Sequence, residues 1–220
     1  MIQEWLEGQV LCEALPEPGF DPRNMESVAE ALAELHRQQP DGMPSSADEI
    51  EKSLAVEAAF LGRICPGMAR RAEKLAGRIA SGLANQPAWD RSLHGDFHAR
   101  QVVLGPYGAA LLDLDRACRG NPLTDLACFR AHLEREVIRG ALKQCQADLV
   151  SGALLEYYAA ATCGNVASRL APFFAAELFR LAPRFFRYWE SNWPQKIETL
   201  LDRAETALQN VLPQIQGAMG

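Results

Sequence analysis

The sequence predicts a mainly α protein (α+β), in which a helical body holds one small β-hairpin. Three observations predict it. Apolar residues recur at helical spacing along most of the chain, as Val28, Leu32 and Leu35 do at i, i+4 and i+7. The clearest two-stranded signal is a short strand, the turn Gly105-Pro106-Tyr107-Gly108, and a second apolar run from Ala109 to Leu112. No repeat or low-complexity tract breaks this pattern.

Taken in order, Gln3-Glu4-Trp5-Leu6-Glu7-Gly8 reads as a short extended piece entering a turn at Gly8. After a Pro- and Gly-rich loop from Pro16 to Pro22, Met25 to Gln38 is an amphipathic helix. His36 falls in its last turn, where the helix dipole favours it. Ser46 with Glu49 fits a capping box opening a helix that carries Ile50, Leu54, Leu61 and Ile64 on its apolar side. Pro66 breaks that run and suits the first turn of the next helix, which holds Met68, Leu75, Ile79 and Leu83 and ends before Pro87. Arg70, Arg71, Lys74 and Arg78 are interspersed with Glu73 and read as a solvated face.

Past the hairpin, Pro122 to Arg139 is a helix with Leu126, Phe129, Leu133 and Val137 inward, and Lys143 to Thr162 is another, broken at Gly164. Val166 to Trp193 is helical with interruptions expected at Pro172 and Pro183. Phe173, Phe174, Phe185, Phe186, Tyr188, Trp189 and Trp193 read as core, and Ile197 to Leu212 closes the chain as an amphipathic helix.

Composition narrows the function classes. The 220 residues suffice for one domain with a sizeable core or for two small ones. A net charge of −6 without a basic run speaks against a nucleic-acid surface. No apolar stretch approaches the roughly 20 residues that a membrane span needs. MIQEWLEGQVL has early acids and no basic n-region, so no signal peptide is expected. Cys12, Cys65, Cys118, Cys128, Cys145 and Cys163 form no C-x-x-C pair; free thiols in a reducing, cytoplasmic setting are expected.

The chemistry concentrates in Leu93 to Phe129. A turn carries His94, Gly95 and Asp96; the hairpin follows, and its second strand runs into Asp113 and Asp115. A hairpin brings its outer ends together, so Asp96 and Gln101 are expected near Asp113. Oxygen ligands clustered around one Asp free to meet a substrate suit Mg²⁺-assisted phosphoryl transfer.

His94-Gly95-Asp96-Phe97-His98-Ala99-Arg100-Gln101 is similar to the kinase catalytic loop H-R-D-x-x-x-x-N, and LLDLDRACRGNPLTDLA to the pattern I-D-x-x-x-x-x-x-G-x-P-x-x-D-L-A. Together they resemble the catalytic segment of the aminoglycoside phosphotransferase and choline kinase family, relatives of the protein kinases. The resemblance implies the helical C-terminal lobe of a protein-kinase-like fold over residues 13–220, with a residual hinge segment over 1–12 and the catalytic segment at 93–127. The small N-terminal lobe that normally carries the phosphate-covering loop and the nucleotide-pairing Lys is expected to be wanting from these residues.

By the same resemblance Asp96 is the catalytic base, Asp113 and Gln101 hold Mg²⁺, and ATP donates a phosphoryl group to a hydroxyl of a small molecule. Gln101 stands where the family usually has Asn. Asp115 meets a second metal or the substrate, or pairs with Arg116 or Arg119. His94 and Asp125 support the loop. Glu134, Glu136, Asp148, Glu156 and Glu177 are acids available on the acceptor side.

Two other readings remain open: a non-catalytic binding or regulatory lobe derived from a kinase, and a truncated fragment. A homo-oligomer through the face left by the missing lobe is a further expectation. Gly95-Asp96-Phe97-His98 also mimics the G-D-x-H motif of metallophosphoesterases, but His132 is the only later histidine and no G-N-H follows.

Overall fold

Prolines start helices in this chain, because the first helical turn has no use for the missing N–H. Pro22 and Pro66 open 3₁₀ turns that lead directly into helices, and Pro172 sits in the first turn of another. The expectation that Pro172 interrupts a helix is corrected accordingly, whereas Pro183 does stand between two helices.

The computed structural model describes residues 7–87, 89–162 and 166–209. In chain order its elements are β1 (Gln9–Val10), α1 (Leu11–Ala14), α2 (Met25–Arg37), α3 (Ser46–Ile64), α4 (Ala69–Ala84), β2 (Arg91–Leu93), β3 (Val102–Gly105) and β4 (Gly108–Leu111). There follow β5 (Cys118–Gly120), α5 (Leu123–Arg139), α6 (Gln144–Thr162), α7 (Ala171–Leu181), α8 (Arg184–Arg187) and α9 (Trp193–Gln209). The extended piece before Glu7, the break at Gly164 and residues 210–212 of the last helix lie outside the described residues. No described helix is long and apolar enough to cross a membrane.

The helical body forms where apolar stripes meet. α2 lies against α6, α3 against α4, and α7 is clasped by α4, α5 and α9. Phe97, Phe129, Phe179 and Phe185 are the largest fully buried side chains. The aromatic run near the C-terminus divides: Phe173, Phe174 and Phe185 are buried, but Tyr188 and Trp189 are 64% and 79% exposed, which corrects their reading as core.

The hairpin forms in the expected place. β3 and β4 pair antiparallel from Val102 opposite Leu111 to Gly105 opposite Gly108, and β1 adds to the outer edge of β3. A second ribbon, β2 with β5, pairs Leu93 with Cys118 and Arg91 with Gly120. Its strands are too short for any alternation to announce them, so only tertiary pairing reveals them.

The capping box expected at Ser46 is not formed. Ser45 occupies the N-cap without a side-chain cap bond. Ser46 is buried, and a Cβ added at Gly120 would meet its Oγ at 2.0 Å. Ser46 stands one position inside the helix and packs its side chain against Gly120 of the β2–β5 ribbon instead of capping. The two ribbons and the start of α5 surround one loop, residues 94–101.

Candidate active site

The loop is held from behind by one carboxylate. Asp125, in the first turn of α5, is fully buried and accepts hydrogen bonds from the backbone N–H of His94 at 2.7 Å and of Gly95 at 3.0 Å. His36 Nε2 lies 3.0 Å from the same carboxylate. A carboxylate only accepts, so Nε2 carries a proton, and Nδ1 lies 2.6 Å from the Tyr158 hydroxyl. His36 was expected to serve the helix dipole; instead it is a buried bridge between α6 and α5, a role visible only once three distant segments meet.

Two further contacts fix the loop's shape. His94 Nε2 donates to the carbonyl of Leu112 at 2.8 Å, tying the loop's start to the end of β4. Phe97 is fully buried, stacked on Phe129 of α5 with centroids 5.2 Å apart. Gly95 has φ +81°, and a Cβ there would fall 2.0 Å from the Arg116 carbonyl oxygen. Only glycine satisfies both the left-handed backbone and the close approach.

The polar face of the loop looks outward. Asp96 is partly exposed, with its side chain 24% accessible, and a carboxylate oxygen lies 3.9 Å from His98 Nε2. Leu112 N–H donates to the Gln101 carbonyl at 2.8 Å and so continues the hairpin ladder by one step. Asp113 then turns into the left-handed region, φ 60° and ψ 63°, at a cost of about 1 kcal/mol that Asp bears better than most residues. That turn brings its carboxylate to Gln101, whose Nε2 donates to Asp113 Oδ2 at 2.9 Å.

Asp115 lies in a 3₁₀ turn, Leu114–Arg116, and is exposed. The chain is not extended between Asp113 and Asp115, so the two do not share a strand face. Neither arginine expected to pair with Asp115 does so: Arg116 binds Glu49 at 2.8 Å and Arg119 binds Asp90 at 3.2 Å.

Of the acids considered for the acceptor side, four are already engaged. Glu134 pairs with Arg203, Glu136 with Arg139, Glu177 with Arg180, and Asp148 accepts from Gln144. Burial, outweighing the Arg180 guanidinium, raises the Glu177 carboxyl above its usual range. Glu156 is exposed on α6.

Sequence reasoning gave His132 no site role; the fold stacks its ring on that of His98, centroids 4.3 Å apart. Burial lowers both imidazole pKa values, well below the usual range for His132. Burial also pushes the Cys118 thiol up to about 12 and Cys128 well above its ordinary value, which disfavours the thiolate at both.

Comparison with known proteins shows the family and the fold. The sequence pattern of the phosphotransferase enzyme family matches residues 1–173. The chain belongs to this family.

Solved structures agree on the fold. A glucosamine kinase is 18% identical over 95% of this chain and 59% of its own, with a TM-score of 0.60. A choline/ethanolamine kinase family protein from Mesorhizobium loti is 14% identical over 91% of this chain and 66% of its own, with a TM-score of 0.62. An aminoglycoside phosphotransferase from Streptomyces rimosus is 20% identical over 79% of this chain and 67% of its own, with a TM-score of 0.55. At these identities the likeness is one of fold, which is mainly helical and protein-kinase-like. The chain spans 59% and 66% of the first two of these structures. No curated protein sequence matches it.

Proposed function

We propose that this phosphotransferase family member is the helical lobe of an ATP-dependent enzyme that phosphorylates a hydroxyl of a small molecule, such as an aminoglycoside, a sugar or an amino alcohol. Residues 1–12 are read as a hinge segment, and 13–220 as the lobe. The observation that carries the reading is the contact of Gln101 with Asp113, together with a partly exposed Asp96 on the same 94–101 loop as Gln101, a loop whose start is held by Asp125.

Asp113 and Gln101 would hold Mg²⁺. Their donor set fits: a carboxylate and a carboxamide in contact, both hard oxygen donors. A half-turn of the Gln101 amide exchanges Nε2 for Oε1 without changing its shape and presents the oxygen to a shared cation. When bound, Mg²⁺ neutralises charge on the transferring phosphates. Asp96 would accept a hydrogen bond from the acceptor hydroxyl, orient its oxygen toward the γ-phosphorus of ATP and take the proton as the new O–P bond forms and the bond from the γ-phosphorus to the departing ADP breaks. Asp115 stands one turn further on, for a second cation or the acceptor.

Family membership supports this reading, as does the fold shared with a glucosamine kinase solved with glucosamine, ADP and inorganic phosphate. The described cysteines are all free, which suits a cytoplasmic enzyme.

Two measurements test the proposal. Calorimetric titration with a non-hydrolysable ATP analogue and Mg²⁺ is expected to give binding that Asp113→Ala abolishes. A folded chain that binds no nucleotide is instead a non-catalytic, kinase-derived lobe or a fragment. In a version joined to a small nucleotide-binding lobe, Asp96→Ala is expected to lower transfer by about 10²–10⁴-fold; undiminished turnover would remove Asp96 from the mechanism.

A further inference from the structure

Gly95-Asp96-Phe97-His98 looks incomplete as a metal motif in the sequence, since a single later histidine follows. Folding returns that histidine to it. His132 projects from α5 onto His98, the rings 4.3 Å apart and 30° from parallel. Asp96 Oδ2 stands 3.9 Å from His98 Nε2, and one ligand atom from each of the three residues lies within 4.8 Å of the others. Tetrahedral Zn²⁺ with bonds of about 2.0–2.1 Å separates its ligand atoms by about 3.3 Å. Side-chain rotations on the order of 1 Å close that difference.

We propose that Asp96, His98 and His132 form a second cation site, suited to a borderline transition metal such as Zn²⁺ and distinct from the oxygen-only pair Gln101 and Asp113. Two imidazoles and a carboxylate, with a fourth position left for water, are a set such metals favour and Mg²⁺ does not. A cavity of about 320 Å³, lined by His98, His132, Cys12 and Glu136 among others, leads to the imidazole pair from solvent.

One hydrogen bond must be given up. His98 Nδ1 accepts from the Arg100 backbone N–H at 3.3 Å, so in the metal-free ring the proton sits on Nε2. Coordination through Nε2 moves that proton to Nδ1 and releases the Arg100 amide, without net proton loss from this ring. A loaded site also withholds Asp96 from an acceptor hydroxyl, so Zn²⁺ occupancy and transfer exclude each other. That consequence rests on the proposed function; the site itself does not.

The test reads metal binding directly and needs no activity. The purified chain is titrated with Co²⁺, whose visible d–d bands report nitrogen and oxygen coordination, and then with Zn²⁺ and Mg²⁺ as competitors. The wild type is expected to give the bands, to lose them to equimolar Zn²⁺ and to keep them in excess Mg²⁺. His132→Phe keeps the stacked ring but removes its nitrogens. It is expected to weaken Co²⁺ binding by about a hundredfold, the upper end of what losing even an outer partner of a metal ligand costs. Gln101→Ala is expected to bind as the wild type does. Should His132→Phe fail to fold by circular dichroism, His98→Phe gives the same reading. A wild type without the bands, or bands that persist in these ring variants, overturns the site whether or not the chain proves to be a phosphotransferase.

Discussion

The two sides of residues 94–101 are built on opposite rules. Behind the loop, Asp125, His36 and Tyr158 are buried and satisfy one another and two backbone amides. In front, Asp96 is partly exposed, Asp113 and Asp115 are exposed, and the only hydrogen bond among the proposed metal ligands is from Gln101 to Asp113. A buried charge must find its partners within the protein, whereas an exposed one waits in water at little cost. The rear network is therefore where sequence changes are expected to alter stability, and the front, on the proposed function, where they are expected to alter chemistry.

The largest break in that contrast is expected from Asp125→Ala, which strips acceptors from two backbone N–H groups and from His36 at once. A loss of about 3–5 kcal/mol in urea unfolding is expected, as for removing one partner from a buried charged network; a change under 1 kcal/mol would deny Asp125 its place at the centre of the rear side. Gly95→Ala follows, since its new Cβ meets the Arg116 carbonyl at 2.0 Å in a left-handed backbone. It should cost about 2–3 kcal/mol, readable as a lowered melting temperature. Tyr158→Phe removes a single hydroxyl from His36 and should cost about 1 kcal/mol by the same measurement. At the small end, Asp113→Asn on the open side should shift stability by no more than about 0.5 kcal/mol while removing Mg²⁺-dependent nucleotide binding. A large stability loss there would erase the distinction between the two sides.

Much of this was legible in residue order. The long helices appear where 3.6-residue periodicity puts them, and the last begins four residues earlier, at Trp193. Hairpin geometry predicted Gln101 near Asp113; the register sets Gln101 opposite Leu112, and the left-handed turn at Asp113 completes the contact. The β2–β5 ribbon was not legible, since three-residue strands carry no period. Nor were the bridge from His36 to Asp125, separated by 89 positions, and the stack of His98 on His132. The lone signals available, a histidine at a helix end and another on a helix with an apolar face, fit bland roles equally well.

The sequence by itself determined the helices, the hairpin and the identity of the groups offered to chemistry, because these depend on local spacing. Tertiary structure alone decided which of those groups are confined and which stay open. Ser46 gave up its cap to pack on Gly120, Arg116 and Arg119 chose Glu49 and Asp90 over Asp115, and His132 came to rest on His98. Each choice is a competition among partners far apart in the chain, settled by burial and distance once the helices have packed.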